Sequence, residues 1–249
     1  MSTHYYYLAI DAGCLLFPFI FSFDKRTEFY KSWRALFVGI ALMMIVFIPW
    51  DIAFTKAQIW GFNPNYISGT GLLGLPIEEW LFFFCVPYAG LFSYVSVGYY
   101  FPRDPLQKAS SGISWTIMAL CLGLLVLYHD HAYTALTALL LLLLLAVLKL
   151  TKQTGFLGRF FLTYLFVMLP FMVTNGLLTG LAFWRYPLFN SAPESVLDMI
   201  VWYDNAENLG VRIFSVPVDD FLYAMLMLLM VTLGFEWVKA HQAKTASTA

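Results

Sequence analysis

Charge is what this sequence has least of. Only 12% of its 249 residues are Asp, Glu, Lys or Arg, against 61% hydrophobic ones, where a soluble domain carries roughly 25% charged residues. So thin a polar supply excludes an ordinary water-facing exterior and argues for a chain that uses lipid as its solvent. Neither sign is in excess, with 14 basic and 15 acidic residues, so the basic surface that a nucleic acid partner needs is missing. Cysteine is scarce as well. Cys14, Cys85 and Cys121 all lie in apolar stretches without metal-ligand spacing; they read as small core residues, with no disulfide and no metal site implied. The first apolar run has no basic segment before it, so it lacks the form of a typical signal peptide. The last apolar run has no lysine before Lys239 at its end. A seven-span retinal protein needs a mid-span lysine for its Schiff base, and that reading fails here.

Long apolar runs are what the chain does have. Seven reach the length of about 20 residues that crosses a bilayer, at roughly 4–23, 33–54, 76–101, 113–128, 132–150, 159–181 and 217–238. The fourth is short. Eleven of the 14 basic residues fall in the connections near 24–34, 102–112 and 149–159 and in the C-terminal tail; the other connections hold Lys56, Arg185 and Arg212. By the positive-inside rule the N-terminus lies outside and the C-terminus in the cytoplasm. The expected fold is therefore an all-α integral membrane protein of seven transmembrane helices in the cytoplasmic membrane. Aromatic residues reach 19%, more than interfacial belts need. They suit either general apolar packing or an interior shaped for a large, flat or cationic guest.

One pattern occurs twice. Pro76-Ile77-Glu78-Glu79-Trp80-Leu81-Phe82 is followed much later by Pro217-Val218-Asp219-Asp220-Phe221-Leu222-Tyr223. Each copy has proline, a β-branched residue, two acids, an aromatic, leucine and an aromatic, and each opens an apolar run on the outer side. Asp51 and Trp60, nine positions apart, precede the first copy, and Asn175 and Trp184, also nine apart, precede the second. This is an internal repeat. Residues 1–103 (spans one to three) and 132–241 (spans five to seven) form two parallel three-helix repeats, span four within 104–131 links them, and 242–249 is a disordered tail. The two motifs then lie at one depth, as halves of one site.

Proline at the first helical position and acids in the first turn are also ordinary helix starts; the matched pair on one side of a membrane favours function. Burial disfavours the charged form of a carboxyl, and adjacent acids favour one shared proton, so buried motifs would supply an acid catalyst. Helix neighbours point about 100° apart, so Glu78 and Glu79 address different surroundings. The face of Glu79 continues through Phe83, Gly90 and Ser93, and that of Asp220 through Ala224, Met227, Val231 and Gly234. Small residues mark helix contacts in membranes, which points Glu79 and Asp220 into the bundle. Asp11, about one turn into the first span behind Tyr5-Tyr6-Tyr7, is either a functional acid or a hydrated one near the membrane face.

Other signals carry less. Gly69-Thr70-Gly71-Leu72-Leu73-Gly74 fits G-x-G-x-x-G, but no strand–helix unit surrounds it and Pro76 follows; its glycines are expected to let a loop pack closely. His129-Asp130-His131 reads as a solvated turn without further metal ligands. In the long connection 184–216, Ser191 and Pro193 resemble a helix start and Gly210 a stop. Val196, Met199, Ile200 and Tyr203 would share one face of a short surface helix.

These residues give the chain its resemblance to the membrane-integral lycopene cyclases. The likeness covers nearly the whole chain and is strongest over 48–84 and 174–223. Its marks are Pro76-Ile77-Glu78-Glu79 with Phe82-Phe83, then Ile200-Val201-Trp202-Tyr203, Gly210-Val211-Arg212-Ile213 and Pro217-Val218-Asp219-Asp220. The chain is similar to the form in which two heterodimer-type subunits are fused. No D-x-x-x-D motif is present, so phytoene synthase activity is not expected. The second motif departs by using aspartates, one methylene shorter than glutamates, so the halves need not do identical work.

The resemblance implies a cofactor-free isomerisation of an acyclic carotenoid end to a β ring, converting lycopene to γ-carotene and β-carotene through a carbocation. It implies Glu78, Glu79, Asp219 and Asp220 as the acid and base set. Trp80, Phe82, Phe83, Phe221, Tyr223, Trp60 and Trp202 are candidate aromatic contacts for substrate, and Asp51, Asn175 and Arg212 candidate supporting partners. Lycopene or a related acyclic carotenoid and membrane lipid are the expected partners, with no metal. A proton-coupled transporter would place its acids nearer the bilayer midplane, with broken helices there. A non-catalytic carotenoid-binding protein would need the aromatics without the acids. An enzyme that traps the same cation with water would yield a hydroxyl.

Overall fold

The computed structural model describes residues 3–248. Seven helices dominate it: α1 (Tyr6–Phe21), α2 (Trp33–Lys56), α3 (Ile77–Tyr100), α4 (Ser110–Leu127), α5 (Ala132–Leu150), α6 (Leu157–Thr179) and α7 (Asp219–Thr248). All seven, with the short 3-10 turns that lead into α1 and α2, are long and apolar enough to cross a membrane. They fall where the apolar runs predict them, because twenty residues without a charge leave the backbone no better partner than itself. The last helix differs from expectation. The polar tail from Gln242 continues α7 to Thr248, and Ala249 lies outside the described residues; Ala243 and Lys244 are good helix formers.

The helices pack as two interlocked sets. α1 lies on α3, α2 runs along α7, α3 meets α6, and α5 meets both α4 and α7. The α2–α7 contact is close because glycines face each other: a Cβ on Gly39 would meet the Val231 carbonyl oxygen at 2.6 Å, and one on Gly234 would meet Gly39 Cα at 2.9 Å. Phe47, Phe83, Leu91, Leu229 and Val231 form part of the continuous core. The outer faces stay apolar, with Leu16 and Phe17 on α1, Ile45 on α2, Leu127 on α4 and Leu169 on α6 all exposed.

The connections are where sequence and structure part. They form short strands: β1 (Trp60–Phe62), β2 (Gly71–Leu72), β3 (Leu75–Pro76), β4 (Phe189–Asn190), β5 (Val201–Tyr203), β6 (Arg212–Ile213) and β7 (Val216–Pro217). The expected surface helix between Ser191 and Gly210 is absent. A 3-10 turn at Pro193–Ser195 leads instead to β5, which pairs antiparallel with β1 in the register Trp60–Tyr203, Gly61–Trp202, Phe62–Val201. The run Ile200-Val201-Trp202-Tyr203 is β-branched and aromatic, which favours a strand wherever a partner strand is at hand. The hairpins β2–β3 and β6–β7 each end in the proline that precedes a double-acid motif. The glycine motif at 69–74 belongs to the first hairpin. Gly69 and Gly74 adopt φ of +81° and +91° with open space at their Cβ positions, so backbone conformation rather than close packing uses them there.

Candidate active site

Each double-acid motif splits its two carboxyls between two environments. Pro76 is extended, and α3 begins at Ile77, so Glu78 and Glu79 sit in the first turn with side chains a residue's rotation apart. Glu78 turns back to its own loop and accepts the Ser68 backbone N–H at 2.7 Å. Glu79 turns into the bundle and accepts the Tyr7 hydroxyl at 2.5 Å. At the start of α7, Asp219 accepts the Leu209 N–H at 3.0 Å and the Thr134 hydroxyl. Asp220 points inward and accepts Tyr133 Oη at 2.7 Å, Asn175 Nδ2 at 2.6 Å and Tyr203 Oη at 3.2 Å. The outer acid of each pair thus ties down the loop ten residues before it, and the inner acid meets a tyrosine from the first turn of α1 or α5.

Glu79 and Asp220 open onto one cavity, with about 970 Å³ of empty space that includes its open part. Its polar end holds the two carboxyls with Tyr7, Tyr133, Tyr203 and Asn175. Four rings gather there: Trp60–Tyr133 centroids are 5.2 Å apart, Tyr133–Tyr203 5.8 Å, Trp60–Tyr223 6.0 Å and Tyr133–Tyr223 5.9 Å. The rest is an apolar limb between α3, α6 and α7, lined by Val86, Val167, Phe171, Met227 and Leu228 among others, and reaching Ser93. Ser93 lies fourteen residues beyond Glu79, which at 1.5 Å per residue is about 21 Å along the helix.

The other expected residues divide. Phe82, Trp60 and Tyr223 line the cavity, as do Gly90, Ser93, Ala224 and Met227 on the two inward faces. Trp80, Phe83, Phe221 and Trp202 do not. Trp80 donates to the Leu72 carbonyl at 3.2 Å and holds the hairpin. Phe83 is buried against Phe47. Phe221 packs on Phe171 while its carbonyl accepts the Tyr164 hydroxyl at 2.6 Å. The Trp202 ring lies where Gly61 has no side chain. Val231 and Gly234 belong to the α2–α7 contact.

Asp51 stands behind the cavity wall, held by Trp60 Nε1 at 2.5 Å and Thr55 at 3.4 Å. The matching spacing from Asn175 to Trp184 leads to no such bond, for Trp184 is 61% exposed. Arg212 is buried in the second hairpin, where it donates to the Ser215 carbonyl at 2.7 Å and Asn205 Oδ1 at 2.9 Å. Its guanidinium lies 5.7 Å from the Tyr203 ring. Burial lowers the Arg212 pKa, while the Asp220 carboxyl opposes that shift. Burial, and then the neighbouring Asp220 and Glu79, push the Tyr203 hydroxyl well above its usual value, so it stays a donor.

Tyr7, Tyr133 and Tyr203 are not among the expected site residues. Tyr7 is one of three consecutive tyrosines before Asp11, and Tyr203 falls on the face of the expected surface helix. The available signal is position: Tyr7 and Tyr133 each stand second in a helix, α1 and α5. Asp11 is buried, and neither of its oxygens has a hydrogen-bond partner. His131 Nδ1 donates to the Asn208 carbonyl at 2.7 Å. Among the described residues no group of three or more His, Cys, Asp or Glu side chains is arranged to hold a metal ion.

The sequence matches the family model described as Lycopene cyclase over residues 4–97 and 130–238. It is also 26% identical over 108 residues to the bifunctional lycopene cyclase/phytoene synthase of Aspergillus oryzae. That alignment covers 40% of this chain and 18% of the relative's length. No solved structure matches.

Proposed function

The chain belongs to the lycopene cyclase family, and from that premise we propose that it is a lycopene β-cyclase, an isomerase that closes the acyclic ends of lycopene into β rings without a cofactor. The observation that carries this reading is the meeting of Glu79 and Asp220, 141 positions apart in the sequence, at the polar end of one largely apolar cavity. The polar end takes the ψ-end of the carotenoid, and the apolar limb takes the adjoining polyene. A carboxylic acid protonates C2 of the terminal double bond. The C5=C6 π electrons then attack the C1 cation, forming the C1–C6 bond, and loss of the C6 proton leaves the ring double bond at C5=C6. The rings of Trp60, Tyr133, Tyr203 and Tyr223 stabilise the cation by roughly 0.5–2 kcal/mol each where their faces meet it. The apolar wall keeps out the water that would trap it.

In this reading the chain spans the cytoplasmic membrane seven times, with its basic ends inside and both motifs outside. Residues 1–103 and 132–241 are parallel repeats joined by the span within 104–131. The paired bonds Ser68–Glu78 and Leu209–Asp219, and Tyr7–Glu79 and Tyr133–Asp220, support that symmetry. Glu78 and Asp219 then shape the site by fixing its loops, while Glu79 and Asp220 touch substrate. Acids at helix mouths do not favour a transporter, and four buried carboxyls exceed what mere pigment binding requires.

The test is expression in cells that accumulate lycopene, with pigments separated by chromatography. The parent chain converts lycopene to monocyclic and bicyclic products, and Glu79→Gln does not. Unchanged lycopene from well-expressed parent protein would sink the proposal.

A further inference from the structure

We propose that the two halves of the site hold different protonation states, with Glu79 the proton donor and Asp220 the ionised carboxylate that takes up the C6 proton. The inference rests on the cyclase reading above and assigns its two roles.

The two inner carboxyls differ in what surrounds them. Glu79 accepts one hydrogen bond, from the neutral Tyr7 hydroxyl. The charges that act on it are those of other acids, Asp51 from α2 and Asp11 from α1, and Glu78 is its chain neighbour. This half of the site leaves both oxygens of Asp11, one of Asp51 and one of Glu78 buried without a hydrogen-bond partner. A buried carboxyl oxygen with no donor is costly to charge, and four acids packed together cannot all ionise. The first half is therefore a store of protons.

Asp220 is surrounded by donors instead. Tyr133 from α5, Asn175 from α6 and Tyr203 from β5 together satisfy both its oxygens, and the Arg212 guanidinium acts on it across the hairpin. Asp219, the other acid beside it, is itself held by Thr134 and the Leu209 N–H. Tyr223 feels both inner carboxyls. Hydrogen bonds to an ionised carboxylate are roughly twice as strong as neutral ones, so three donors and a nearby cation select the charged form.

The contrast runs through matching positions. Where the first half has Asp51 before its loop, the second has Asn175, whose amide donates to Asp220. Four residues after Tyr7 comes Asp11, and four after Tyr133 comes Thr137. In the cycle Glu79 gives its proton to C2 and becomes a carboxylate, so the cation forms between two negative charges. Asp220 accepts the C6 proton as the ring double bond forms. The proton then returns to Glu79 across the cavity that both carboxyls line, where Tyr203 donates to Asp220 and Tyr7 donates to Glu79.

Two readouts on purified protein and on pigments test the assignment. The first is infrared absorption of the protonated-carboxyl C=O stretch, without substrate, in the parent, Glu79→Gln and Asp220→Asn. The expected result is a band diminished in Glu79→Gln and unchanged in Asp220→Asn. The second is the product pattern from lycopene. Glu79→Gln should lose about 10²–10⁴-fold in rate and return unaltered lycopene. Asp220→Asn should still form the cation but release rings with a displaced double bond or a hydroxyl at C5, or an uncyclised end with a hydroxyl at C1. A band diminished in Asp220→Asn and kept in Glu79→Gln would overturn the assignment, as would altered products from Glu79→Gln. If both variants return only lycopene, the infrared bands decide. If the parent itself leaves lycopene unchanged, the cyclase reading fails while the bands still judge the protonation states.

Discussion

Replacing Asn175 by aspartate would put beside Asp220 an acid of the kind that the proposed repeat has at Asp51. The change is nearly isosteric, so packing survives, but the donor 2.6 Å from Asp220 Oδ2 becomes an acceptor. Two effects add. Losing a hydrogen bond to a charged group costs about 1.5–3 kcal/mol. Two unit charges roughly 4 Å apart repel by about 4 kcal/mol at an effective dielectric of about 20. The pair relieves this by holding one proton between them, which removes the base proposed at Asp220. Since about 1.4 kcal/mol is tenfold in rate, Asn175→Asp should slow lycopene conversion by at least about 10³-fold. Asn175→Ala, which only deletes the donor, should slow it by about 10–100-fold. The assay is the initial rate of lycopene loss in membranes with matched protein content, with detergent-extracted yield as the check on folding. An Asn175→Asp enzyme within tenfold of the parent, or an alanine variant slower than the aspartate one, would refute the reasoning.

The structure sets further expectations. Tyr7→Phe keeps the ring and removes the hydroxyl held by Glu79; at about 0.5–1.5 kcal/mol for a neutral hydrogen bond, initial rates should fall about 2–12-fold. Trp60→Phe leaves Asp51 Oδ1 with only Thr55 at 3.4 Å, so thermal unfolding in detergent should shift downward by an amount equivalent to about 1–3 kcal/mol. Gly39→Val drives a side chain into the Val231 carbonyl and should destabilise by at least about 1–3 kcal/mol, seen in the same melting assay. Tyr203 has a raised pKa from burial and then from Asp220 and Glu79. The native state keeps this proton where the unfolded chain loses it, near pH 10, so the linked stability is complete below about pH 10 and declines as pH rises beyond it. Melting temperatures measured across that range should fall in the parent more steeply than in Tyr203→Phe.

How legible the site was differs from residue to residue. The inward direction of Glu79 and Asp220 followed from helical rotation and the small residues on their faces, and the structure places both on the cavity. Phe83 was on the same predicted face as Glu79 yet packs into the core, since four residues carry a helix face about 40° past full register and α2 is close enough to cover it. Trp80 and Trp202 stand in two different motifs but are both claimed by the connections, where a ring over Gly61 and a bond to Leu72 hold strands together. The surface helix expected near 191–210 failed for a related reason. Val196 and Ile200 are both buried as that face requires, but the chain there is not helical, and the residues that follow, Val201–Tyr203, pair with β1 as a strand.

The sequence by itself determined the seven helices, because crossing a bilayer demands about twenty apolar residues in unbroken order, and such a run is a local property. It also determined where the acids stand, at the first turns of α3 and α7, since proline followed by two acids is itself a helix start. Only the tertiary structure decided what each acid meets. Tyr7 reaches Glu79 across 72 positions, Tyr133 reaches Asp220 across 87, and Trp60 lies beside Tyr203 through a strand pair made by two distant loops. No local pattern encodes those meetings. They arise because helices buried against one another bring fixed faces together, and a carboxyl taken out of water must find its donors among whatever side chains that packing supplies.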